Sequence, residues 1–468
     1  IVISLRKFPK IVNSCSTIVL IALVSVSIKN SISIGISYSK MPESVVKTSV
    51  DPVFHLSKTG KNVIIIMQDR CFSPLVPYVF DESPVLKQKF DGFIFYPNTI
   101  SFGKLTMIGT PGIFGGYDFT PFEINKRSNE TLQQKHNQSI LSMPVLFSEN
   151  GWNTTVADMP YENYLEQPQT AMYKGYEQVN RVIAHGTYSD VWYKLNNIEK
   201  EPFMSDKIKR NFIWFGLFKM VPPALRQIIY HQEYWLSYNK YDDTSKFIDN
   251  YSEIDLLPEL TDTNADKNSF IIIDNEATHE SIMLQAPDYV PVKKVTQFGN
   301  SIYSHEVQFS AMSGIFLRLS EFFDYLKANS VYDNTKIIIV SDHGMGMNMK
   351  EFDNITQRFR FLKENVTATL LVKDFNSHGE IKTDNAFMTN ADTPALAAKD
   401  LIKDAKNPFT GNNLAVENKN DYVKIVNAPA ESTRIRFNTQ FKIADDDWYT
   451  VKDNIFEDSN WSQYKLSK

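Results

Sequence analysis

The sequence has very few cysteines. Only Cys15 and Cys71 occur among its 468 residues. Two widely separated cysteines form neither a disulfide framework nor the closely spaced pairs of a thiolate metal site. A disulfide-stabilised scaffold and a thiolate metal centre are therefore excluded, and cysteine content says little about the redox compartment.

A strong excess of basic charge is also missing. The chain carries 49 Lys and Arg against 54 Asp and Glu, a formal net charge of −5. Binding to a phosphate backbone needs a basic excess or a basic stripe, and no such stripe is found, so nucleic acid is not expected as a partner. Internal repeats and low-complexity tracts are absent too. With 43% hydrophobic and 22% charged residues, the composition is typical of a globular protein with a large core.

One long apolar segment lies near the N-terminus. Residues 11–28 carry no charge and are about as long as the shortest helix that spans a bilayer, which needs roughly 17–25 residues. Arg6, Lys7 and Lys10 precede it, which predicts a cytoplasmic N-terminal side and an extracytoplasmic remainder at the cell membrane. A cleaved signal peptide is the alternative. Because the chain begins with Ile, we expect a truncated N-terminus.

Changes in composition along the chain predict four segments. They are a transmembrane anchor at 1–30, a linker at 31–60, a large folded domain at 61–410, and a C-terminal appendage at 411–468 with no visible chemistry.

Within the large domain, residues 161–262 are aromatic and basic and are predicted to be a helical insertion. Its apolar run at 210–223 is interpreted as a core helix, with a helix in the membrane interface as the alternative.

Short apolar runs predict buried strands, and amphipathic patterns between them predict helices. The runs are Asn62–Met67, Phe270–Ile273, Ile337–Val340 and Thr369–Val372. The clearest helical pattern places five apolar residues on one face and ends at Asn329: Met312, Phe316, Leu319, Phe323 and Leu326. Strands that alternate with helices predict an α/β fold with a mostly parallel central sheet flanked by helices.

The most informative motif, Ser341-Asp342-His343-Gly344, directly follows the run that ends at Val340. Asp69 likewise lies just after the first apolar run, Asn62–Met67. Ligands gather at the carboxyl ends of parallel strands, and oxygen and nitrogen donors without thiolates suit Zn²⁺, Mn²⁺ or Mg²⁺. Asp69, Asp342 and His343 are therefore predicted to bind a divalent metal. A helix cap or turn is the alternative for Asp69.

A glycine-rich segment, residues 103–116, contains two threonines, Thr106 and Thr110. A hydroxyl near a divalent cation can lose its proton and attack a phosphorus or sulfur centre. Both threonines are candidates for that nucleophile. The alternative is a Gly-Pro turn in which the threonines cap a helix.

The order of these residues resembles the sulfatase-like branch of the alkaline phosphatase superfamily, and it is similar to membrane-anchored lipoteichoic acid synthases and phosphoethanolamine transferases. The resemblance covers roughly residues 61–402, and a late stretch at 390–396 also matches. It implies an alkaline phosphatase-like fold in which Asp69, Thr106, Asp342 and His343 bind the catalytic metal. It also selects Thr106 as the nucleophile, since Thr106 keeps the family's distance to Pro111.

His279, just after the Phe270 run, matches the substrate-facing histidine of lipoteichoic acid synthases. In that role it would contact a phosphoryl oxygen or shuttle a proton, work that suits an imidazole with an unperturbed pKa near 6.5. The alternative is a solvent-exposed loop histidine. His305, His378 and Lys104 are weaker candidates for chemistry.

The formylglycine signature of true sulfatases, Cys-x-Pro-x-Arg, is absent. Cys71-Phe72-Ser73-Pro74 has the wrong spacing and no following Arg, so Cys71 is predicted to be a small buried residue. This absence argues against sulfate-ester hydrolysis. Asp69 stands where the transferases usually have Glu, which leaves the number of metals and the substrate open.

The resemblance therefore implies a membrane-anchored, metal-dependent phosphotransferase whose catalytic domain is the 61–410 segment. It would move a phosphoglycerol- or phosphoethanolamine-type headgroup from a membrane lipid donor to an envelope glycan or lipid acceptor through a phosphothreonine. Two alternatives remain: a phosphate- or sulfate-ester hydrolase on the same fold, and an inactive metal-binding surface protein.

Overall fold

The apolar N-terminal segment is helical in the computed structural model of the chain, which describes residues 8–39, 50–165, 169–198, 214–230, 243–352, 357–414 and 422–465. The chain divides into two units, Ile1–Thr48 and Ser49–Lys468. In the first unit, helix α1 covers Pro9–Ser39. Its Pro9–Asn30 stretch is long and apolar enough to cross a membrane, with a mean hydropathy of 2.2 and none of it buried.

Helix α1 extends past the predicted end at residue 28, because no proline interrupts the Ser- and Ile-containing stretch that follows. The first residues of the predicted linker, up to Ser39, are therefore helical. At the other end of that linker, Phe54 and Leu56 are buried in the core of the second unit. The last residues before Gly60 thus belong to a folded unit.

The main sheet of the second unit has eight strands in the described residues. In spatial order they are β11 (Lys382–Thr383), β3 (Phe93–Phe95), β10 (Leu370–Lys373), β9 (Thr335–Val340), β2 (Asn62–Gln68), β8 (Ser269–Asn275), β5 (Asn153–Ala157) and β6 (Val179–Val182). Among these eight, β10 alone runs antiparallel to its neighbours. The prediction of a mostly parallel sheet is confirmed.

Smaller sheets join distant parts of the second unit. They are the pair β1 (Phe54–His55) and β7 (Thr261–Asp262), the pair β4 (Thr99–Ile100) and β12 (Met388–Thr389), and the antiparallel set β13 (Val423–Val426), β14 (Trp448–Val451) and β15 (Trp461–Gln463). The last set packs Val426 and Trp448 against Ile108, so the C-terminal segment lies on the main body of this unit.

The described part of the second unit also contains helices. They are α2 (Val76–Glu82), α3 (Val85–Lys89), α4 (Thr106–Gly115), α5 (Pro121–Lys126), α6 (Leu132–Glu149), α7 (Ser189–Leu195), α8 (Pro223–Tyr230), α9 (Asp243–Asp255), α10 (Leu257–Leu260), α11 (Val307–Ala328), α12 (Gln357–Val366) and α13 (Thr393–Ala398). A further helix covers residues 214–220.

The two faces of the sheet have separate apolar cores. Ile64 and Ile66 of β2 belong to the cluster that includes α11, whereas Val63 and Ile65 belong to the cluster that includes α4 and α6. Successive side chains of a strand point to opposite faces, so a strand covered on both sides reads as a continuous apolar run. This is why the central strands could be predicted so directly.

The predicted helix that ends at Asn329 is α11, whose C-cap is Asn329. In its described residues, the segment predicted as an insertion at 161–262 contains helices α7 to α10, and it also contains strand β6 at the edge of the main sheet. The core-helix interpretation of residues 210–223 is wrong for the part that is described. Leu217 is 37% exposed and Met220 is 81% exposed, so these side chains do not belong to a core. Residues 210–213 lie outside the described residues.

Candidate metal and nucleophile site

Acidic residues mark the ends of four neighbouring strands. Asp342 comes just after β9, Asp69 directly after β2, Asp274 near the end of β8, and Asp158 directly after β5. Because these strands are parallel, their carboxyl ends meet at one edge of the sheet. The fold therefore collects a row of carboxylates from distant parts of the sequence.

Asp69, Asp342 and His343 form a buried triad whose ligand atoms all lie within 4.8 Å of one another. Nε2 of His343 is 3.5 Å from Oδ2 of Asp342 and 4.0 Å from Oδ1 of Asp69. Those two carboxylate oxygens have no hydrogen-bond partner among the described residues. Buried carboxylates without partners are costly, and a divalent cation between them and the imidazole would remove that cost. The donor set fits a metal ion.

Hydrogen bonds fix the orientation of two members of the triad. Nδ1 of His343 donates to the carbonyl oxygen of Gly344 at 2.8 Å, which leaves a lone pair on Nε2. Oδ1 of Asp342 accepts from the backbone amides of His343 and Arg70, at 2.8 and 3.0 Å. Each side chain thus uses one atom for positioning and keeps the other open towards the triad.

Burial and like charge shape the protonation of the triad. Burial, followed by the charge of Asp342, raises the pKa of Asp69 well above its ordinary value. Burial lowers the pKa of His343, although the charge of Asp342 opposes this. His343 is therefore neutral at neutral pH, which is the form of imidazole that binds a metal.

Thr106 is the first residue of α4, and its hydroxyl donates to Oδ2 of Asp69 at 3.3 Å. The Thr110 hydroxyl is buried and donates to the carbonyl oxygen of Thr106 at 2.7 Å, inside the helix. Of the two candidate nucleophiles, Thr106 is the one that lies beside the triad. The positive end of the α4 dipole also favours negative charge on its oxygen.

Helix α4 packs very closely on the loop that carries Asp342. A Cβ atom on Gly109 would lie 2.2 Å from the Asp342 carbonyl oxygen. The side-chain amide of Asn390 donates to the carbonyl oxygens of both Gly109 and Asp342, at 3.2 and 3.1 Å. Glycine at 109 and asparagine at 390 therefore set the distance between the nucleophile helix and the triad.

The residue before His279 is hydrogen-bonded to a member of the triad, since the Thr278 hydroxyl donates to the Asp69 carbonyl oxygen at 2.5 Å. Nδ1 of His279 is 3.6 Å from Oε1 of Glu280, an ion-pair distance longer than a hydrogen bond. Burial disfavours its charged form, but the carboxylates of Glu280 and Asp69 outweigh burial and raise the pKa of His279. Protonated His279 can donate a proton to a reacting group.

A cationic cavity of about 760 Å³ opens beside Thr106, His279 and His343. Its basic lining residues are Arg70, Lys104, Arg434 and Arg436. The two C-terminal arginines belong to the segment predicted to be an appendage without chemistry. The 429–444 region packs on α6, where the Leu132 amide donates to the Asn438 carbonyl, and this packing brings both arginines to the cavity.

An acidic cavity of about 520 Å³ lies on another side of Thr106 and His279, which line both cavities. Its acidic lining residues are Asp69, Asp158, Glu162, Asp274, Glu276 and Glu280. We call it the acidic cavity below. The candidate nucleophile thus lies at a boundary between opposite charges.

Other candidates have different places. Cys71 is buried, as predicted. Lys104 lines the cationic cavity and stacks over Phe361 at 5.3 Å. His378 lies at the surface, 3.3 Å from a carboxylate oxygen of Asp91 and 3.4 Å from one of Asp333, and His305 packs against Phe298; neither lines the two cavities.

Sequence reasoning missed Asp158, Asp274 and Glu276. The rule that found Asp69 also applies to Asp274 and Glu276, because both lie within three residues after the predicted strand Phe270–Ile273. Asp158 follows strand β5 (Asn153–Ala157), which was not predicted because it contains polar residues. No sequence signal connected Arg434 or Arg436 with Thr106.

A sequence profile for sulfatases matches residues 61–395. No curated protein matches the chain. Three solved structures are similar at low identity. A protein in the alkaline phosphatase superfamily from Vibrio parahaemolyticus is 14% identical, with 91% of this chain and 89% of that chain covered and a TM-score of 0.42.

The lipoteichoic acid synthase LtaP from Listeria monocytogenes is 12% identical, with 90% of this chain and 91% of that chain covered and a TM-score of 0.38. The soluble domain of lipooligosaccharide phosphoethanolamine transferase A from Neisseria meningitidis is 10% identical, with 75% and 90% covered and a TM-score of 0.36.

Proposed function

The chain belongs to the sulfatase family, within the alkaline phosphatase superfamily, and on that premise we propose that it is a membrane-anchored, metal-dependent phosphotransferase. It moves a phosphoglycerol- or phosphoethanolamine-type headgroup from a membrane lipid donor to an envelope glycan or lipid acceptor. The reaction passes through a covalent phosphothreonine on Thr106.

One observation carries this proposal. The Thr106 hydroxyl is hydrogen-bonded to Asp69, and Asp69 belongs to a buried triad with two carboxylate oxygens left open. When bound by Asp69, Asp342, His343 and Thr106, a Mn²⁺, Mg²⁺ or Zn²⁺ ion would lower the pKa of the hydroxyl and stabilise charge on the phosphoryl oxygens. A helix-capping role alone would not explain why the Thr106 hydroxyl lies next to a triad with open carboxylate oxygens.

The reaction then consists of two displacements at phosphorus. Thr106 Oγ1 bonds to the donor phosphorus while the bond from phosphorus to the diacylglycerol oxygen breaks. Protonated His279 gives its proton to that leaving oxygen and takes up the proton of the Thr106 hydroxyl. In the second step, the acceptor hydroxyl attacks phosphorus and the bond to Oγ1 breaks. The proton of the acceptor is returned to Thr106, so the enzyme ends as it began.

Phosphorus is favoured over sulfur because the chain lacks the Cys-x-Pro-x-Arg signature and offers a threonine instead. Arg70, Lys104, Arg434 and Arg436 supply the positive charge that a phosphate or an anionic acceptor needs. Water as acceptor would make the enzyme a hydrolase, and a triad that binds metal without turnover would make it a surface-binding protein.

The place of reaction follows from the anchor. We propose that α1 spans the cell membrane with its basic N-terminal side in the cytoplasm, so that the second unit works on the extracytoplasmic face. Donor lipid and envelope acceptor are both available at that face.

Turnover of defined donors tests the proposal. The purified full chain with Mn²⁺ is incubated with labelled phosphatidylglycerol or phosphatidylethanolamine, and release of diacylglycerol is measured for wild type, Thr106→Ala and Thr110→Ala. We expect release by wild type and Thr110→Ala and none by Thr106→Ala. No release from either lipid would refute the transferase function, and aryl sulfate cleavage that survives Thr106→Ala would indicate different chemistry.

A further inference from the structure

The acidic cavity is lined by more carboxylates than its own cations pair with. Arg181 is occupied by a bidentate ion pair with Glu162, at 2.7 and 2.6 Å. Lys246 and His279 both approach Glu280, at 3.8 and 3.6 Å. His185 bonds through Nδ1 to Asn250. Within the described ranges, Asp158, Asp274 and Glu276 form no ion pair with a cation of the chain.

These three carboxylates differ in what they can still bind. Asp158 Oδ2 accepts two backbone amides, from Ala184 and His185, at 2.9 and 2.8 Å. Asp274 is 5% exposed, and its Oδ1 has no hydrogen-bond partner among the described residues. Glu276 is half-buried at the cavity wall, and no hydrogen bond to its carboxylate is found in the part of the chain that the structure describes. A buried acceptor without a partner calls for a donor from the ligand.

Asp158, Asp274 and Glu276 share their cavity with Thr106, whereas the other cavity is lined by Arg70, Lys104, Arg434 and Arg436. A phosphodiester bound at Thr106 places its two substituents on different sides of phosphorus. We propose that the acidic cavity binds the positively charged amine of the transferred headgroup, so that the donor is a phosphodiester of an amino alcohol rather than of glycerol. This inference rests on the proposed function and selects one of its two headgroup classes.

The charge pattern distinguishes these headgroups. Burial raises the pKa of Asp274 well above its ordinary value, so its ionised form needs a cation close by. A glycerol hydroxyl would leave Asp274 and Glu276 without one, whereas an ammonium group supplies positive charge and up to three hydrogen-bond donors. The cavity volume of about 520 Å³ is ample for an aminoethyl arm. A second divalent cation is the competing occupant. Among the described residues, however, Asp69, Asp342 and His343 are the group whose ligand atoms already converge, and the other carboxylates do not join them.

Two chromogenic diesters of matched size test this subsite: 4-nitrophenyl 2-aminoethyl phosphate and 4-nitrophenyl 2-hydroxyethyl phosphate. For the wild-type full chain we expect kcat/KM to favour the aminoethyl diester roughly tenfold or more, as for one charged hydrogen bond in a partly desolvated site. In Glu276→Gln this preference should shrink towards equality. Glu149→Gln, at an exposed position that lines neither cavity, should keep it.

Binding measurements distinguish a failure of the proposed amine-binding subsite from a failure of the proposed transfer reaction. Calorimetry on metal-loaded Thr106→Ala should give tighter binding of the aminoethyl diester, and adding Glu276→Gln should remove the difference. Equal binding of both diesters by Thr106→Ala, or a preference that survives Glu276→Gln, would overturn the inference. A second equivalent of metal that is lost in Glu276→Gln would overturn it in favour of a cation. Preferential binding without turnover or adduct would contradict the proposed function alone.

Discussion

Single atoms decide what the triad can do. Oδ1 of Asp69 and Oδ2 of Asp342 are open, while the other atoms of Asp342 and His343 that could bind are used by the backbone. A carboxylate that is buried and unpaired is retained only where something compensates it. We therefore assign these atoms to a metal, and the assignment can be tested residue by residue.

Metal content should depend on each member of the triad. Asp69→Asn and His343→Ala should each lower bound metal, by about tenfold or more in affinity, because each removes one ligand. Elemental analysis after dialysis gives the stoichiometry. The exposed Asp288→Asn is the matched control and should bind as wild type. An unchanged stoichiometry in Asp69→Asn would remove Asp69 from the ligand set.

The pH dependence of turnover should report on His279. Burial lowers its pKa, but Glu280 and Asp69 outweigh burial and raise the pKa above 6.5, so His279 keeps its proton to a higher pH than a free imidazole and loses it as pH rises further. A group that must donate a proton then makes kcat fall on the alkaline side of that raised pKa.

We expect His279→Gln to keep its metal, to have a lower kcat and to lose the alkaline decline. Steady-state rates across pH, together with metal content, provide the check. If His279→Gln lost its metal, the histidine would be a ligand. If the alkaline decline persisted, another group would be the proton donor.

The contact between α4 and the Asp342 loop depends on a glycine. In Gly109→Ala, the new Cβ would lie 2.2 Å from the Asp342 carbonyl oxygen, so helix and loop must separate. Overpacking of this kind costs roughly 1–3 kcal/mol, and it would also move Thr106 away from Asp69. We expect a lower free energy of unfolding in urea and a large loss of turnover.

The matched control is Gly216→Ala, in the helix at 214–220, where an added Cβ has nothing within 4 Å. That variant should be neutral or slightly stabilised. Wild-type stability and activity in Gly109→Ala would show that the close approach is unimportant.

The central strands and the end of α11 could be predicted from the sequence, and other elements could not. Runs such as Ile337–Val340 are apolar throughout because both faces of the sheet are covered. Strand β6 was not predicted, because Asn180 and Arg181 give this edge strand a polar pattern. The direction of β10 also has no signal within its four residues, since it depends on its pairing with β9 and β3.

The residues of the candidate site also fall into those that could be predicted from the sequence and those that could not. Asp69, Asp342 and His343 follow apolar strands, so a rule about strand ends groups them on the basis of sequence alone. Arg434 and Arg436 reach the cationic cavity through a loop whose position depends on contacts with α6. Such long-range packing cannot be predicted from the local sequence.

At the level of the complete chain, the two units should have different solubility. Helix α1 leaves its apolar Pro9–Asn30 stretch unburied, whereas the second unit has its own cores. We expect the full chain to sediment with membranes and to resist carbonate extraction. A chain that begins at Ser49 should remain in the soluble fraction with an unchanged unfolding temperature. Carbonate release of the full chain would contradict a transmembrane anchor.

The central claim is that Thr106 becomes covalently linked to phosphorus, and peptide mass spectrometry tests it most directly. The metal-loaded full chain is mixed with donor lipid, quenched in acid within seconds and digested. We predict a headgroup phosphoryl adduct on the peptide that contains Thr106, at that residue by fragmentation, and its absence in Thr106→Ala. Donor turnover with no adduct on Thr106, or with an adduct on another residue, would contradict the account.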